Sequence, residues 1–196
     1  MHHYCYGETM KEAAVQMDQP ALAKRMFDLA LALPGLVVAA PIVLVAMALI
    51  RATSHGPAIF AQERVGRHEQ PFRCYKLRTM YVNTPHVATH QVAVSAITPL
   101  GAFLRRFKID ELPQLWNVVI GQMSMVGPRP CLPGQEELVR HRRTLGIFSL
   151  RPGITGLAQV RGIDMSNPQR CAETDAEYMQ AISLREDLRL IVRTIL

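Results

Sequence analysis

Between Leu29 and Ile50 the chain carries no charged and no strongly polar residue, an apolar run of 22 residues. A helix of about 20 residues covers a hydrocarbon core of roughly 30 Å. In a domain this small, a helix apolar on every face for that length cannot bury all of its surface in protein. The run therefore predicts membrane insertion. A secretory leader is a poor fit, because Glu8, Lys11, Glu12 and Asp18 precede the run, which is too long and has no isolated small-residue cleavage pattern after it.

The path of the run is less constrained than its environment. Pro34-Gly35 and Pro41 interrupt it, and each proline removes a backbone donor and disfavours a straight helix. Cations flank both ends, Lys24 and Arg25 before and Arg51 after, which the positive-inside tendency would keep on the cytoplasmic face. A helix kinked near Ala40-Pro41 that enters and leaves one leaflet satisfies both facts. A spanning helix that tolerates its prolines satisfies the first. Asp28 is expected to pair with Lys24 or Arg25, or to cap the helix.

The 196 residues suit one domain, divided here into an N-terminal extension (1–23), a membrane helix (24–51) and a soluble remainder (52–196). A net charge of +6 points to an anionic partner: lipid headgroups, phosphorylated substrates or nucleic acid. The four cysteines are scattered without a CxxC pair, which favours reduced thiols over a zinc site. His2 and His3 are assigned no function.

After Arg51, residues 58–62 and 72–80 read as the strands of a β-hairpin around Gly66 and Pro71, carrying Arg64, Arg67, Arg73, Lys76 and Arg78. Residues 83–98 read as a loop with an apolar stretch over 92–97. Thr98 would cap a helix beginning at Pro99, with Leu100, Phe103, Leu104 and Phe107 on one face, fit either for a membrane interface or for a core. A short helix from Pro113 to Gly121, a basic helix near 135–145, a strand-like "LAQV" at 157–160, and two C-terminal helices divided near Ile182-Ser183 complete an α+β pattern.

Between the helices of residues 99–109 and 113–121 stands "KIDELPQLWN", with Asp110 and Glu111 adjacent and Arg105, Arg106 and Lys108 upstream. Neighbouring residues point in different directions, so two such acids cannot share one proton symmetrically. They can divide labour, one attacking phosphorus and the other holding a cation. Arg129 between two prolines and Arg151 before Pro152-Gly153 have stiff backbones, as a phosphate clamp needs. Taken alone, such a pair of acids is also what a charged surface turn looks like. Single-strand nucleic-acid binders use basic platforms interleaved with aromatics, and none is visible.

The stretches "KRMFDLALA", "FAQERVGRHEQPFRCYKLRTM", "KIDELPQLWNVVIGQMSMVGPRP", "RPGITGLAQVRG" and "AETDAEYMQAISLREDLRLI" together resemble the bacterial sugar transferase family, the small monotopic polyprenyl-phosphate phosphoglycosyl transferases. The resemblance implies transfer of a sugar 1-phosphate from a UDP-sugar to polyprenyl (undecaprenyl) phosphate at the cytoplasmic face of a bacterial inner membrane. By the same token it implies Asp110 as nucleophile and Glu111 as a catalytic partner that helps hold Mg²⁺. Lys76, Arg78, Arg129, Arg151 and Asp175 are expected to bind substrate. It also implies a re-entrant helix broken at Pro41, a small hairpin sheet and interfacial amphipathic helices, with a homodimer as one oligomeric option. The expected partners are the UDP-sugar, the polyprenyl phosphate and membrane lipids, without nucleic acid.

This chain departs from the family pattern in places. Ala40 replaces the serine usual before the kink proline, Gln122 stands where an aspartate is common, and residues 81–97 lack acidic character. With little after the last helix, a minimal catalytic form without added transmembrane helices is expected.

Overall fold

A computed structural model describes residues 5–82, 84 and 96–195, so His2, His3 and most of the loop expected over 83–98 lie outside the described residues. Helix α1 runs unbroken from Cys5 to Thr53, 49 residues and about 70 Å. The boundary drawn at Lys24 falls inside it. Pro34 and Pro41 are taken up on exposed faces without ending the helix.

Within α1, Leu22–Thr53 is long and apolar enough to cross a membrane, yet only 17% of its most apolar window is buried. Val37 and Val38 are 75% and 69% exposed. A soluble core helix would be covered, so this segment associates with lipid. Its protein-facing stripe is made of small residues: Ala32, Ala39 and Ala46 recur every seventh position, nearly fully buried, with Ile50 continuing the line. Small side chains let the helix backbone approach its neighbours closely.

The stripe packs on a hairpin of β1 (Ile59–Val65) and β2 (Pro71–Leu77), paired antiparallel from Ile59↔Leu77 to Val65↔Pro71, and on the short helix α3 (Gln114–Val119). Phe72, Cys74, Leu115, Val118 and Met123 fill that contact. The hairpin matches the sequence expectation. Helix α2 (Pro99–Arg106) starts where expected, with Thr98 Oγ1 accepting from the Gly101 amide at 2.9 Å. Gly101 is there because α2 lies against backbone: a Cβ at this position would sit 2.1 Å from the Thr79 carbonyl oxygen.

Two short strands went unread in the sequence. β3 (Ser124–Val126) and β4 (Gly153–Thr155) form a parallel pair with register Ser124↔Gly153 and Val126↔Thr155. The segment expected to be a strand, Leu157–Val160, is instead one helical turn, α5 after α4 (Glu136–Thr144). Its amides close locally, Val160 N–H on Gly156 O at 3.1 Å and Arg161 N–H on Leu157 O at 3.0 Å. Four residues are too few for periodicity to separate strand from helix. Helices α6 (Pro168–Gln180) and α7 (Leu184–Ile195) break between Ala181 and Ser183, as expected.

Both ends of the apolar segment are tied to the same domain. Near its start, Lys24 Nζ lies 2.5 Å from the buried Asp187 carboxylate, which also accepts from Tyr178 Oη at 2.6 Å. Arg25 donates to the carbonyls of Val118 and Val119 at 2.6 and 2.8 Å, closing the C-terminus of α3. Asp28 feels the Lys24 charge but makes no hydrogen bond to either cation and caps nothing in α1: its Oδ1 accepts from Ser124 Oγ and the Met125 amide at 3.0 and 2.9 Å. Long-range partners won over the local ones that sequence proximity suggested. At the far end, Arg78 donates to the carbonyls of His55 and Ser54 and to Ser54 Oγ at 2.5–2.9 Å.

Candidate active site

Helix α2 stops at Arg106, and Lys108 adopts a left-handed backbone (φ 55°) that turns the chain into a single 3₁₀ turn, Ile109–Glu111. Pro113 then opens α3. A helix end, a left-handed residue and a proline therefore fix the two acids on a turn held at both sides. Phe72, Cys74 and Lys76 share one face of β2 by the twofold alternation of a strand. The first two pack toward α3, and the third reaches the acidic turn.

The two carboxylates differ sharply in environment. Glu111 Oε1 accepts from Lys76 Nζ at 2.7 Å and Arg129 Nη2 at 3.0 Å. Burial works against its charge, but Lys76 and then Arg129 outweigh it and hold its pKa at about 2. Among the described residues its other oxygen, Oε2, accepts no hydrogen bond. Asp110 is only 7% exposed, and among the described residues no other side chain donates to it. Burial pushes its pKa above the usual aspartate range; Lys76 pulls it back, Glu111 adds to the rise and Arg105 opposes it. One acid is anchored with its carboxylate form favoured, whereas the other is unclamped and more basic.

Both acids line a pocket of about 470 Å³ between the hairpin, the segment 78–82 and the acidic turn. Arg64, Lys76, Arg78, Arg105, Lys108 and Arg129 also line it, among the described residues six cations against two carboxylates. This excess suits a ligand with several negative charges. Away from the acids the wall becomes apolar, with Pro57, Ile59, Leu77, Met80 and Val82.

The structure thus brings together Asp110, Glu111, Lys76, Arg78 and Arg129. It leaves out two expected substrate ligands. Arg151 donates through Nε to the Gly121 carbonyl at 2.9 Å and lies outside the pocket wall, its pKa lowered by burial and by the nearby Arg67 and Arg25. Asp175 is buried in an ion pair with Arg142 at 2.7 Å. Arg78 lines the pocket but spends its hydrogen bonds on Ser54 and His55. Arg64, Arg105 and Lys108 had no assigned role; the signals that could have pointed to one are the strand face Arg64 shares with Lys76 and the closeness of Arg105 and Lys108 to the acids in sequence. Gln122 has a structural task, accepting from Asn117 Nδ2 at 2.8 Å.

Among the described residues no group of three or more His, Cys, Asp and Glu side chains could cage a metal. Mg²⁺, however, commonly takes one or two carboxylates and completes its shell with substrate phosphates and water. Glu111, ionised and with Oε2 uncommitted, fits that pattern, with Asp110 beside it.

A family model for bacterial sugar transferases matches residues 19–196. The chain belongs to the bacterial sugar transferase family. It is 40% identical over 184 residues to a UDP-glucose:undecaprenyl-phosphate glucose-1-phosphate transferase of Caulobacter vibrioides, covering 89% of this chain and 68% of that protein. It is 35% identical over 192 residues to the exopolysaccharide production protein ExoY of Rhizobium meliloti, covering 89% and 84%. A UDP-glucose:undecaprenyl-phosphate glucose-1-phosphate transferase of Klebsiella pneumoniae is 36% identical over 183 residues, but only 39% of its length is matched.

Proposed function

We propose that this sugar transferase moves a sugar 1-phosphate from a UDP-sugar to polyprenyl phosphate in two displacements at Asp110. The observation that carries the reading is the division between the acids: Glu111 is clamped by Lys76 and Arg129, while Asp110 faces a basic pocket unclamped. In the first displacement an Asp110 carboxylate oxygen attacks the phosphorus bearing the sugar. The bond from that phosphorus to the bridging oxygen breaks, and UMP leaves with the electron pair. In the second, a phosphate oxygen of polyprenyl phosphate attacks the same phosphorus. The aspartyl–phosphorus link breaks, and the carboxylate returns.

Lys76 and Arg129 sit beside the attacked phosphate and offset the charge that develops there. The raised Asp110 pKa makes its carboxylate a better nucleophile once ionised. Mg²⁺, held by Glu111 and donor phosphates, would neutralise phosphate charge. A route through one intermediate lets a soluble donor and a lipid acceptor use one pocket in turn.

Membrane placement follows the same logic. The apolar segment contacts the catalytic domain at both ends, through Lys24 and Arg25 at one and Ser54 and His55 at the other. A polar domain held along the whole segment is hard to reconcile with a perpendicular crossing, which supports a path that keeps both ends at the cytoplasmic face of the inner membrane, the continuous helix bending at Pro41, where an amide donor is missing, rather than breaking there. Exposed Phe103 on α2 and Phe107 just after it, Trp116 and Ile120 around α3, and Leu184, Leu188 and Val192 along α7 offer further apolar contact at headgroup level.

The test is nucleotide release from a panel of UDP-sugars with undecaprenyl phosphate and Mg²⁺, paired with mass detection of a phosphosugar adduct on Asp110. Asp110→Asn is expected to abolish both. An adduct that persists in the variant overturns the assignment, and a wild-type protein silent with every donor points to a binding or scaffold role. Cysteines placed at either end of α1's apolar segment should resist an impermeant periplasmic reagent. Labelling from outside would mean a spanning helix.

A further inference from the structure

The loop Pro128–Cys131 presents the Arg129 side chain to Glu111, and two of its four residues lack an amide donor. All four of its carbonyls are nevertheless occupied. Pro128 O accepts from the Gly153 amide at 2.9 Å and Cys131 O from the Val65 amide at 3.0 Å. Pro130 O accepts from Arg64 Nη1 at 3.0 Å. Arg129 O accepts from Arg142 Nη1 at 2.8 Å.

Arg142 is an unusual donor, because it is the largest fully buried side chain among the described residues. Its Nε and Nη2 both reach Asp175 Oδ2, at 2.9 and 2.7 Å, and Asp175 is itself 2% exposed. Burying an ion pair is a poor route to stability, since apolar side chains of similar volume often serve as well or better. What apolar side chains cannot do is donate to a carbonyl on the active-site loop. Arginine's rigid fork can engage a carboxylate on one edge and a carbonyl on another.

We propose that Arg142 and Asp175 are positioning residues for Arg129. Asp175 fixes the plane of the Arg142 guanidinium, and Arg142 fixes the Arg129 backbone at the height where its side chain meets Glu111. Neither touches substrate. This assignment of the catalytic consequence rests on the reading above, but the geometry it requires can be tested without turnover.

The experiment is a cycle with Arg129. The paired replacement Arg142→Leu/Asp175→Leu removes both charges together, so that no lone ion is left buried. It is expected to keep the melting temperature close to wild type while lowering kcat/KM for the UDP-sugar by ~10–100-fold. Arg129→Ala alone should cause a comparable loss, and adding it to the paired variant should cost less than about twofold more. The Arg129 Nε–H signal, followed by NMR of ¹⁵N-labelled arginine and assigned by its loss in Arg129→Ala, should shift and broaden in the paired variant as the side chain loses its fixed place beside Glu111.

An Arg129 Nε–H signal that keeps its wild-type position and width in the paired variant overturns the proposal, as does an Arg129→Ala loss that multiplies in full. Should the paired variant not fold, Arg142→Lys carries the same cycle, keeping a cation for Asp175 while losing the fork. A wild-type enzyme silent with every donor, but with the Arg129 signal moved as expected in the paired variant, would sink the functional reading and leave the positioning role standing.

Discussion

Replacing Lys76 by methionine removes one charge from the acidic turn and keeps most of the side chain's bulk. In the folded protein Glu111 falls from an ordinary 4.5 to about 2, a change worth about 3 kcal/mol. Burial opposes that fall, so the two cations together supply more than the net figure, and Lys76 leads Arg129. Losing the leading cation should return at least half, ~1.5 kcal/mol, and raise the Glu111 pKa by about one. Both partners are less than a quarter exposed, so solvent screening erodes this only in part. Because the folded value lies below the unfolded one, the Glu111 contribution is present above pH 4.5 and is lost as pH falls through about 2.

The more telling effect is on Asp110, whose raised pKa is restrained chiefly by Lys76. An aspartate must be ionised to attack, so activity should fall as pH drops through a value above the usual aspartate range. Lys76→Met should move that acidic limb of kcat/KM to higher pH, and Glu111→Gln, which removes a repelling charge, should move it lower. The assay is UMP release against pH at fixed lipid and Mg²⁺ for all three proteins. An acidic limb that does not move in Lys76→Met, or moves downward, refutes Asp110 as the titrating nucleophile.

Other outcomes follow from the same geometry. Lys108→Gly should be tolerated or slightly stabilising in chemical denaturation, whereas Lys108→Val should destabilise by ~1–2 kcal/mol, because a β-branched residue fits a left-handed backbone poorly. Gly101→Ala drives a methyl onto the Thr79 carbonyl and should lower both thermal stability and activity, as the α2 end carrying Arg105 shifts. Chelation with EDTA should stop nucleotide release and Mg²⁺ should restore it; full activity in EDTA would remove the metal from Glu111.

Much of the site was legible because its chemistry is written in local sequence. The proline-flanked Arg129 carries its own signal, whereas Asp110-Glu111 reads by itself also as a charged surface turn and Lys76 as one cation of a solvated hairpin, so both stood out only through motifs that resemble the family's. Arg151 and Asp175 belong to equally distinctive motifs, yet their partners are the Gly121 carbonyl and Arg142, which no spacing rule links to them. Arg142 itself was hidden among neighbouring cations in "VRHRRTLG". Only the packing of α4 on α6 distinguishes the buried arginine from its exposed neighbour Arg143.

The sequence by itself determined that one segment needs lipid and that two adjacent acids stand where one helix ends and Pro113 starts the next, since hydropathy and backbone restriction are local properties. Tertiary structure decided which acid is clamped and which is left basic, because Lys76, Arg129 and Glu111 meet only once hairpin, loop and turn have converged. It also decided how α1 is held: the alanine stripe reads as uniform apolarity until a partner surface selects one face. Charge pairing and face selection depend on distances between segments far apart in the chain, and those distances exist only after folding.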